Sequence, residues 1–300
     1  MTTRRKACII EAGNAKGYMT KGSIKARQFQ ARRRGNAMQL GISTACFYPL
    51  PVEQALDETG RLGLRAVEIF FNTESEYFEP LISEIERHVH ENGIEVRSIH
   101  PFTSANEGIL LFSEYTRRTE DAFSQYRHYF ETGQRLGAKY FTFHGERRMG
   151  VDTDGGIIDR KLNVYRRLVA AAAEYGLTFT QENVAWCRSA DPGYLRQLYE
   201  NVPELRYTLD IKQAHRAGQD WERFLEAVGD RICNIHLNDF DEEHSCLLPG
   251  EGTMDYDAFF GALKRLGYDR QVLIEVYKTN FSSTQQIRRA VERLLPYAQP

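Results

Sequence analysis

The stretch TFTQEN, residues 178–183, carries the pattern that decides the fold. Thr178, Phe179 and Thr180 are β-branched or aromatic residues, which are common in strands. A polar cluster, Gln181-Glu182-Asn183, then follows directly, although such a cluster is unexpected at the end of a buried strand. The rest of the chain repeats this arrangement, which indicates that Glu182 belongs to a set of polar strand ends.

From Met38 onward, short strand-like runs alternate with longer stretches of helical spacing. Eight runs have the composition of strands, at 39–45, 65–71, 95–100, 139–145, 178–183, 206–210, 232–237 and 271–276. Eight stretches have helical spacing, at 52–62, 77–92, 114–136, 159–175, 192–201, 220–228, 256–266 and 283–296. Several of these end in a glycine of the kind that terminates a helix, as at Leu136-Gly137.

Eight strand–helix units in about 260 residues match a single (β/α)8 TIM barrel. A doubly wound open sheet is the rival architecture, and it would usually have fewer strands and a glycine-rich loop after the first one. The segment after the first strand, GISTACFYPLP at 41–51, is not such a loop. The pattern therefore predicts an α/β protein with one barrel over residues 38–300.

The charge of the chain is unevenly distributed. Residues 1–37 contain ten Lys and Arg residues and one acid, Glu11, which leaves 29 basic and 40 acidic residues in 38–300. The basic segment lacks the apolar core of a secretory signal. We expect 1–37 to be a disordered extension or a misassigned start, with an Arg-rich transit peptide or a nucleic-acid arm as the alternatives.

The cysteines and the hydropathy of the chain indicate its compartment. Five scattered cysteines, none in a C-x-x-C pair, are typical of a reducing cytoplasm. No apolar run approaches the ~20 residues that a membrane helix needs. We therefore predict a cytoplasmic protein that does not bind a membrane.

Polar residues close most of the predicted strands. They are Glu68, His100, His144, Glu182, Asp210, His236 and Glu275. The carboxyl ends of barrel strands meet on one face, so the last four, on consecutive strands, can converge on one point. Three carboxylates in one cleft would repel each other, and a divalent cation removes that difficulty. The residues predict a site for Mn²⁺, Co²⁺, Mg²⁺ or Zn²⁺ held by Glu182, Asp210, His236 and Glu275.

Short motifs at successive strand ends resemble those of the xylose-isomerase-like barrel superfamily, which includes sugar phosphate isomerase/epimerase proteins. They are SIHPF (98–102), FHG (143–145), QEN (181–183), LDIKQAHRAGQD (209–220), NIHLND (234–239), LPGEGTMDY (248–256) and IEVY (274–277). The resemblance covers the chain from Met38 onward. It implies the same four metal ligands, and it implies that Glu182 and Glu275 carry the proton in an isomerase or epimerase of a small sugar or polyol ketone.

The resemblance also implies a set of substrate-binding residues. His100 and His144 would lie beside the substrate, Trp186 would wall the pocket, and Glu68 would lie inside the barrel mouth. Gln213 stands where many relatives have a histidine, and Arg216 could bind a phosphate or a carboxylate. The set expected to bind substrate is His100, His144, Gln213, Trp186, Glu68 and Arg216.

Three other functions use the same fold. A metal-dependent dehydratase of an inosose-like substrate would share the abstraction of the α-proton. An apurinic-site endonuclease-like hydrolase could place a second ion at His100, His144 and Glu182, but the acidic barrel disfavours a nucleic-acid partner. A non-catalytic sugar-binding barrel is the third. The chain has no nucleotide-binding fingerprint, so we expect no nucleotide cofactor, and the resemblance implies a possible homo-oligomer.

Overall fold

The computed structural model of this protein describes residues 37–148 and 159–299. The predicted extension at 1–37 lies outside these residues, apart from Ala37. None of the described helices is long and apolar enough to cross a membrane.

Eight parallel strands close into one barrel in chain order, so that the first strand pairs with the last. The strands are β1 Gln39–Ser43, β2 Ala66–Phe70, β3 Glu95–His100, β4 Tyr140–Phe143, β5 Thr178–Glu182, β6 Arg206–Asp210, β7 Ile232–Leu237 and β8 Gln271–Ile274. This closed barrel confirms the predicted fold, and every predicted strand is present to within two residues at each end.

Helices surround the barrel. The α-helices of the described residues are α1 Val52–Leu62, α2 Leu81–Glu91, α3 Glu107–Leu110, α4 Thr116–Arg135, α5 Asp159–Glu174, α6 Pro192–Asn201, α7 Ile211–Arg216, α8 Trp221–Val228, α9 Tyr256–Leu266 and α10 Thr284–Ala298. Single 3-10 turns lie at Thr44–Phe47, Glu74–Tyr77, Phe102–Ala105, Arg188–Ala190, Gly229–Arg231 and Lys278–Asn280. The sequence pattern did not predict α3 and α7, because helices of four and six residues are too short to show a periodicity.

Most strand residues that face the helices are apolar, and most of those that face the barrel axis are polar. On β4 and β5, Phe141 and Phe179 stack with ring centroids 5.7 Å apart in the layer beneath α4. The hydroxyls of Thr180 and Thr208 meet inside the barrel at 2.7 Å. Continued along β5, this alternation directs Glu182 into the barrel.

Close packing of the strands also restricts the residues near the barrel floor. A Cβ on Gly41 of β1 would lie 2.0 Å from the carbonyl oxygen of Ala66 and 2.6 Å from a methyl group of Leu273. Only glycine fits this contact between β1 and its two neighbours.

Candidate metal and acid–base site

The four predicted metal ligands converge around one imidazole nitrogen. Nδ1 of His236 lies 3.2 Å from Glu275 Oε2, 3.3 Å from Glu182 Oε1 and 3.7 Å from Asp210 Oδ2. The strand register explains this convergence, because Asp210 is the direct partner of His236 in the β6–β7 pair. Asp210, His236 and Glu182 are buried, and the Glu275 side chain is 14% exposed, so the cluster opens to solvent at Glu275.

The other nitrogen of His236 faces Glu68. Nε2 lies 3.0 Å from Glu68 Oε1, and neither side chain is accessible to solvent beyond 1%. Glu68 Oε2 accepts hydrogen bonds from Ser98 Oγ at 2.6 Å, Thr142 Oγ1 at 2.7 Å and Asn234 Nδ2 at 3.1 Å. The carboxylate is therefore fixed from four sides, one layer deeper in the barrel than the predicted ligands.

Charge in this layer changes the pKa of both partners. Burial alone would raise the pKa of Glu68, but His236, His100 and the Ser98 hydroxyl lower it to about 2. Burial alone would lower the pKa of His236, but Glu275 and Glu68 raise it well above its usual range. This shift favours the imidazolium form at neutral pH, and Nδ1 must be without its proton before it can bind a metal.

The donor set fits a divalent cation. Asp210 Oδ2 is buried and accepts no hydrogen bond from the described residues, although its other oxygen accepts the Gln213 backbone N–H at 2.9 Å. Carboxylate oxygens with one imidazole nitrogen suit Mn²⁺, Co²⁺, Mg²⁺ or Zn²⁺. One oxygen or nitrogen from each of Glu182, Asp210 and His236 can come within 4.8 Å of the others, as a shared ion requires.

A pair of histidines lies on the other side of Glu182. The Nε2 atoms of His100 and His144 are 2.8 Å apart, and they lie 3.6 Å and 3.1 Å from Glu182 Oε2. Burial opposes ionisation of Glu182, but His144, His100 and His236 hold its pKa well below the usual range. Glu182 is therefore a carboxylate with an imidazole on each side.

Lys212, which the LDIKQAHRAGQD motif leads us to expect near the substrate, contacts the carboxylates of the cluster. Its ammonium lies 2.7 Å from Glu275 Oε1 and 3.5 Å from Asp210 Oδ2, and the side chain is only 3% exposed. Asp210 is the N-cap of α7, so Lys212 follows it in the first turn. The D-x-x-Q spacing from Asp210 to Gln213 is typical of a helix start, and it could have predicted that Lys212 lies in a first turn beside Asp210.

The remaining predicted residues lie at the mouth of the barrel or behind it. Trp186 is 36% exposed, and its ring centroid lies 5.4 Å from that of His144. Gln213 is buried and accepts the Ala185 backbone N–H at 3.1 Å. Arg216 is exposed at the end of α7. Glu68 is the predicted substrate contact that the structure places farthest from solvent.

Two buried acids position the loops around this face, and the sequence reasoning missed both. Glu107 Oε2 accepts the backbone N–H groups of His144 and Gly145 at 3.1 and 3.0 Å. Asp239 is fully buried and accepts four hydrogen bonds within the segment 240–256. A Cβ on Gly252 would lie 2.3 Å from the Phe240 carbonyl oxygen and 2.4 Å from Asp239 Oδ1, which explains a glycine in this loop.

A closed (β/α)8 barrel with a carboxylate–histidine cluster at the carboxyl ends of its strands defines the class of this protein. The chain belongs to the xylose isomerase-like TIM barrel family, whose sequence profile matches residues 56–297.

Two solved structures share this fold over nearly their whole length. A D-tagatose 3-epimerase-like protein is 19% identical, with a TM-score of 0.71 over 87% of this chain and 97% of its own. The 3-keto-D-glucoside 4-epimerase of E. coli is 18% identical, with a TM-score of 0.68 over 86% and 99%.

Among curated proteins, the inosose isomerase of Bacillus subtilis is 23% identical over 175 residues, which are 53% of this chain and 61% of the relative. The chain spans between 43% and 61% of the length of the first curated relatives that it matches.

Proposed function

We propose that this protein is a divalent-metal-dependent isomerase or epimerase of a small sugar or polyol ketone. The observation that carries the proposal is the pair of glutamates on His236, with Glu182 and Glu275 each within 3.3 Å of Nδ1. Two carboxylates in one cleft can remove a proton from one carbon of a substrate and return it to the same or the neighbouring carbon.

The electrostatics support this assignment. Burial raises the pKa of Glu275, but His236 and Lys212 outweigh it and lower the pKa below the ordinary value. Glu182 is likewise held as a carboxylate by His144 and the two other histidines. Both glutamates are therefore ionised at neutral pH, as a base that accepts an α-proton must be.

Glu182, Asp210, His236 and Glu275 would hold the metal. A bound divalent ion would supply Lewis-acid chemistry, polarising the substrate carbonyl and stabilising the negative charge that develops there. His100 and His144 would donate hydrogen bonds to substrate oxygens beside Glu182, and Trp186 would exclude water from that side. Glu68 would contribute by orienting His236 rather than by contacting the substrate.

The similar proteins support an isomerase or epimerase reaction, and their names give different substrates. Solved structures with this fold include a D-tagatose 3-epimerase-like protein and a 3-keto-D-glucoside 4-epimerase, and one curated relative is an inosose isomerase. We propose a ketose or an inosose as the substrate class. The four cysteines of the described residues are free and buried, in keeping with the predicted cytoplasmic location.

The test is deuterium exchange with the Mn²⁺-loaded full chain. Ketoses, aldoses and inosose are incubated in D₂O, and proton NMR follows loss of the signal beside the carbonyl. We expect exchange with at least one compound, abolished by EDTA and restored by Mn²⁺.

Variants assign the proton transfer. Glu182→Gln and Glu275→Gln should each lower exchange at least about 10²-fold, the lower range for one general acid–base group. Glu204→Gln, an exposed glutamate before β6, is the matched control and should keep wild-type exchange. Exchange retained in both site variants refutes the assignment, and loss of water from the product in place of rearrangement indicates a dehydratase.

A further inference from the structure

Two cations of α7 face one tyrosine beside the cluster. Lys212 and Arg216 are four residues apart and therefore lie on the same side of the helix. The Lys212 ammonium lies 5.1 Å from the ring centroid of Tyr277, and the Arg216 guanidinium carbon lies 5.2 Å from it. Tyr277, which is 43% exposed, thus lies between a cation of the buried cluster and a cation at the mouth.

Neutral groups hold Arg216 in place. Its Nε donates to Ser245 Oγ at 2.9 Å, and its Nη1 donates to the Tyr277 hydroxyl at 2.6 Å. No carboxylate of the described residues lies within 4.0 Å of the guanidinium, and Nη2 has no acceptor among them. The guanidinium is therefore held in position, and no carboxylate in the described part of the chain pairs with its charge.

The two cations differ in whether a carboxylate pairs with their charge. Lys212 is neutralised by Glu275 and Asp210, whereas the partners of Arg216 among the described residues are two hydroxyl groups and the Tyr277 ring. A guanidinium has five N–H donors and no acceptor, and its planar geometry matches two oxygens of a phosphate or a carboxylate. Sugar hydroxyls alone do not require a full charge at this place.

We propose that Arg216, Tyr277 and Ser245 form a subsite, here called the Arg216 corner, that binds an oxyanion carried by the substrate. The oxyanion is a phosphate ester or a carboxylate at the end of the molecule away from the reacting carbonyl. The connection to the cluster is short, since Tyr277 follows Glu275 by two residues and its ring contacts Lys212. This inference rests on the proposed function, because it treats the corner and the cluster as parts of one substrate site.

Matched substrate pairs test the corner. Fructose, fructose 6-phosphate and fructuronate differ in the group at the far end, and deuterium exchange is measured for each with the Mn²⁺-loaded protein. For the phosphate or the carboxylate, we expect kcat/KM to exceed that of the neutral sugar and to fall about 10- to 100-fold in Arg216→Gln, the range for a hydrogen bond to a charged group.

The same substitution should lower kcat/KM for the neutral sugar less than for either anionic compound, because a hydroxyl gains less than an oxyanion from a full positive charge. Arg265→Gln, an exposed arginine in the last turn of α9, is the matched control and should leave all three compounds unaffected. Comparing kcat/KM for fructose 6-phosphate with that for fructuronate shows whether the Arg216 corner prefers a phosphate ester or a carboxylate.

Binding of simple anions provides a readout that needs no turnover. Inorganic phosphate and acetate are titrated into the Mn²⁺-loaded wild type and the Arg216→Gln variant by isothermal calorimetry. Tighter binding of either anion to the wild type than to Arg216→Gln supports the Arg216 corner. If no sugar exchanges deuterium in the same protein, the proposed function is refuted but the corner is not. Equal affinity in the two proteins, or equal loss for neutral and anionic sugars, overturns the corner and leaves the isomerase proposal standing.

Discussion

Replacing Glu68 with glutamine tests whether this buried carboxylate prepares His236 to bind a metal. The substitution keeps the shape of the side chain but replaces one oxygen with an NH₂ group. A glutamine side chain cannot accept from Ser98, Thr142 and Asn234 at one end and also present an anionic oxygen to His236 Nε2 at the other, as the carboxylate does. Either a hydrogen-bond donor is left without an acceptor, or Nε2 must lose its proton and become an acceptor, which leaves the imidazole proton on Nδ1, the nitrogen that would bind the metal.

The loss of stability follows from the charge. The pKa of Glu68 is lowered to about 2 from the ordinary 4.5, chiefly by His236 against the opposing effect of burial. The ionised form is thus favoured in the folded protein by about 3 kcal/mol. Because the folded pKa is the lower one, this stabilisation is complete above about pH 4.5 and is lost as the pH falls toward 2.

Urea unfolding of the metal-free proteins measures what the ionised Glu68 contributes to the free energy of unfolding. At pH 7 we expect Glu68→Gln to be less stable than the wild type by about 3 kcal/mol. The difference should narrow at pH 3.5, where the wild-type advantage is already decreasing. An equal free energy of unfolding at pH 7 would show that the ionised carboxylate is not stabilised in the folded protein.

Measuring metal affinity distinguishes a role of Glu68 in orienting His236 from a general effect of Glu68 on the stability of the fold. Removing an outer partner of a ligating histidine weakens metal binding about 10- to 100-fold, so Mn²⁺ calorimetry of Glu68→Gln should show a loss in that range. Ser98→Ala removes one donor to Glu68 but leaves the carboxylate facing Nε2, so its Mn²⁺ affinity should stay within about twofold of wild type. Unchanged affinity in Glu68→Gln, or an equal loss in both variants, would refute the role of Glu68 in orienting His236.

Two further substitutions examine the cation beside the cluster and the loop that covers this face. Lys212→Met removes a positive charge 2.7 Å from Glu275, and we expect Mn²⁺ to bind about 10-fold tighter or more by calorimetry; weaker binding would contradict simple charge competition. Asp239→Asn turns the hydrogen bond from the Gly250 backbone, or those from Phe240 and Met254, into donor–donor contacts and should lower the free energy of unfolding by about 1–3 kcal/mol in urea. Asp241→Asn, at a partly exposed aspartate that accepts its backbone hydrogen bonds through one oxygen, should lose less than about 0.5 kcal/mol, and equal losses would refute the argument from burial.

Much of the fold follows from local chemistry. The eight strand–helix units, the glycines that end helices and the alternation along β5 all reflect interactions between residues close in the chain. Helices of ten or more residues were predicted because an amphipathic face repeats over several turns. The helices α3 and α7 were missed because each depends on a single cap or buried side chain, such as Asp210 at the start of α7.

The sequence by itself also determined that Glu182, Asp210, His236 and Glu275 share one face, since the carboxyl ends of parallel strands must meet there. Only the tertiary structure decided which nitrogen of His236 faces them. It also placed Glu68, 168 residues earlier in the chain, beneath the same ring. Contacts across a barrel depend on the stagger at which the sheet closes, and that stagger is a property of all eight strands together. The contacts of Lys212 and Arg216 with Tyr277 also depend on the tertiary structure. They form only because β8 pairs with β7 and so places Tyr277 beside α7.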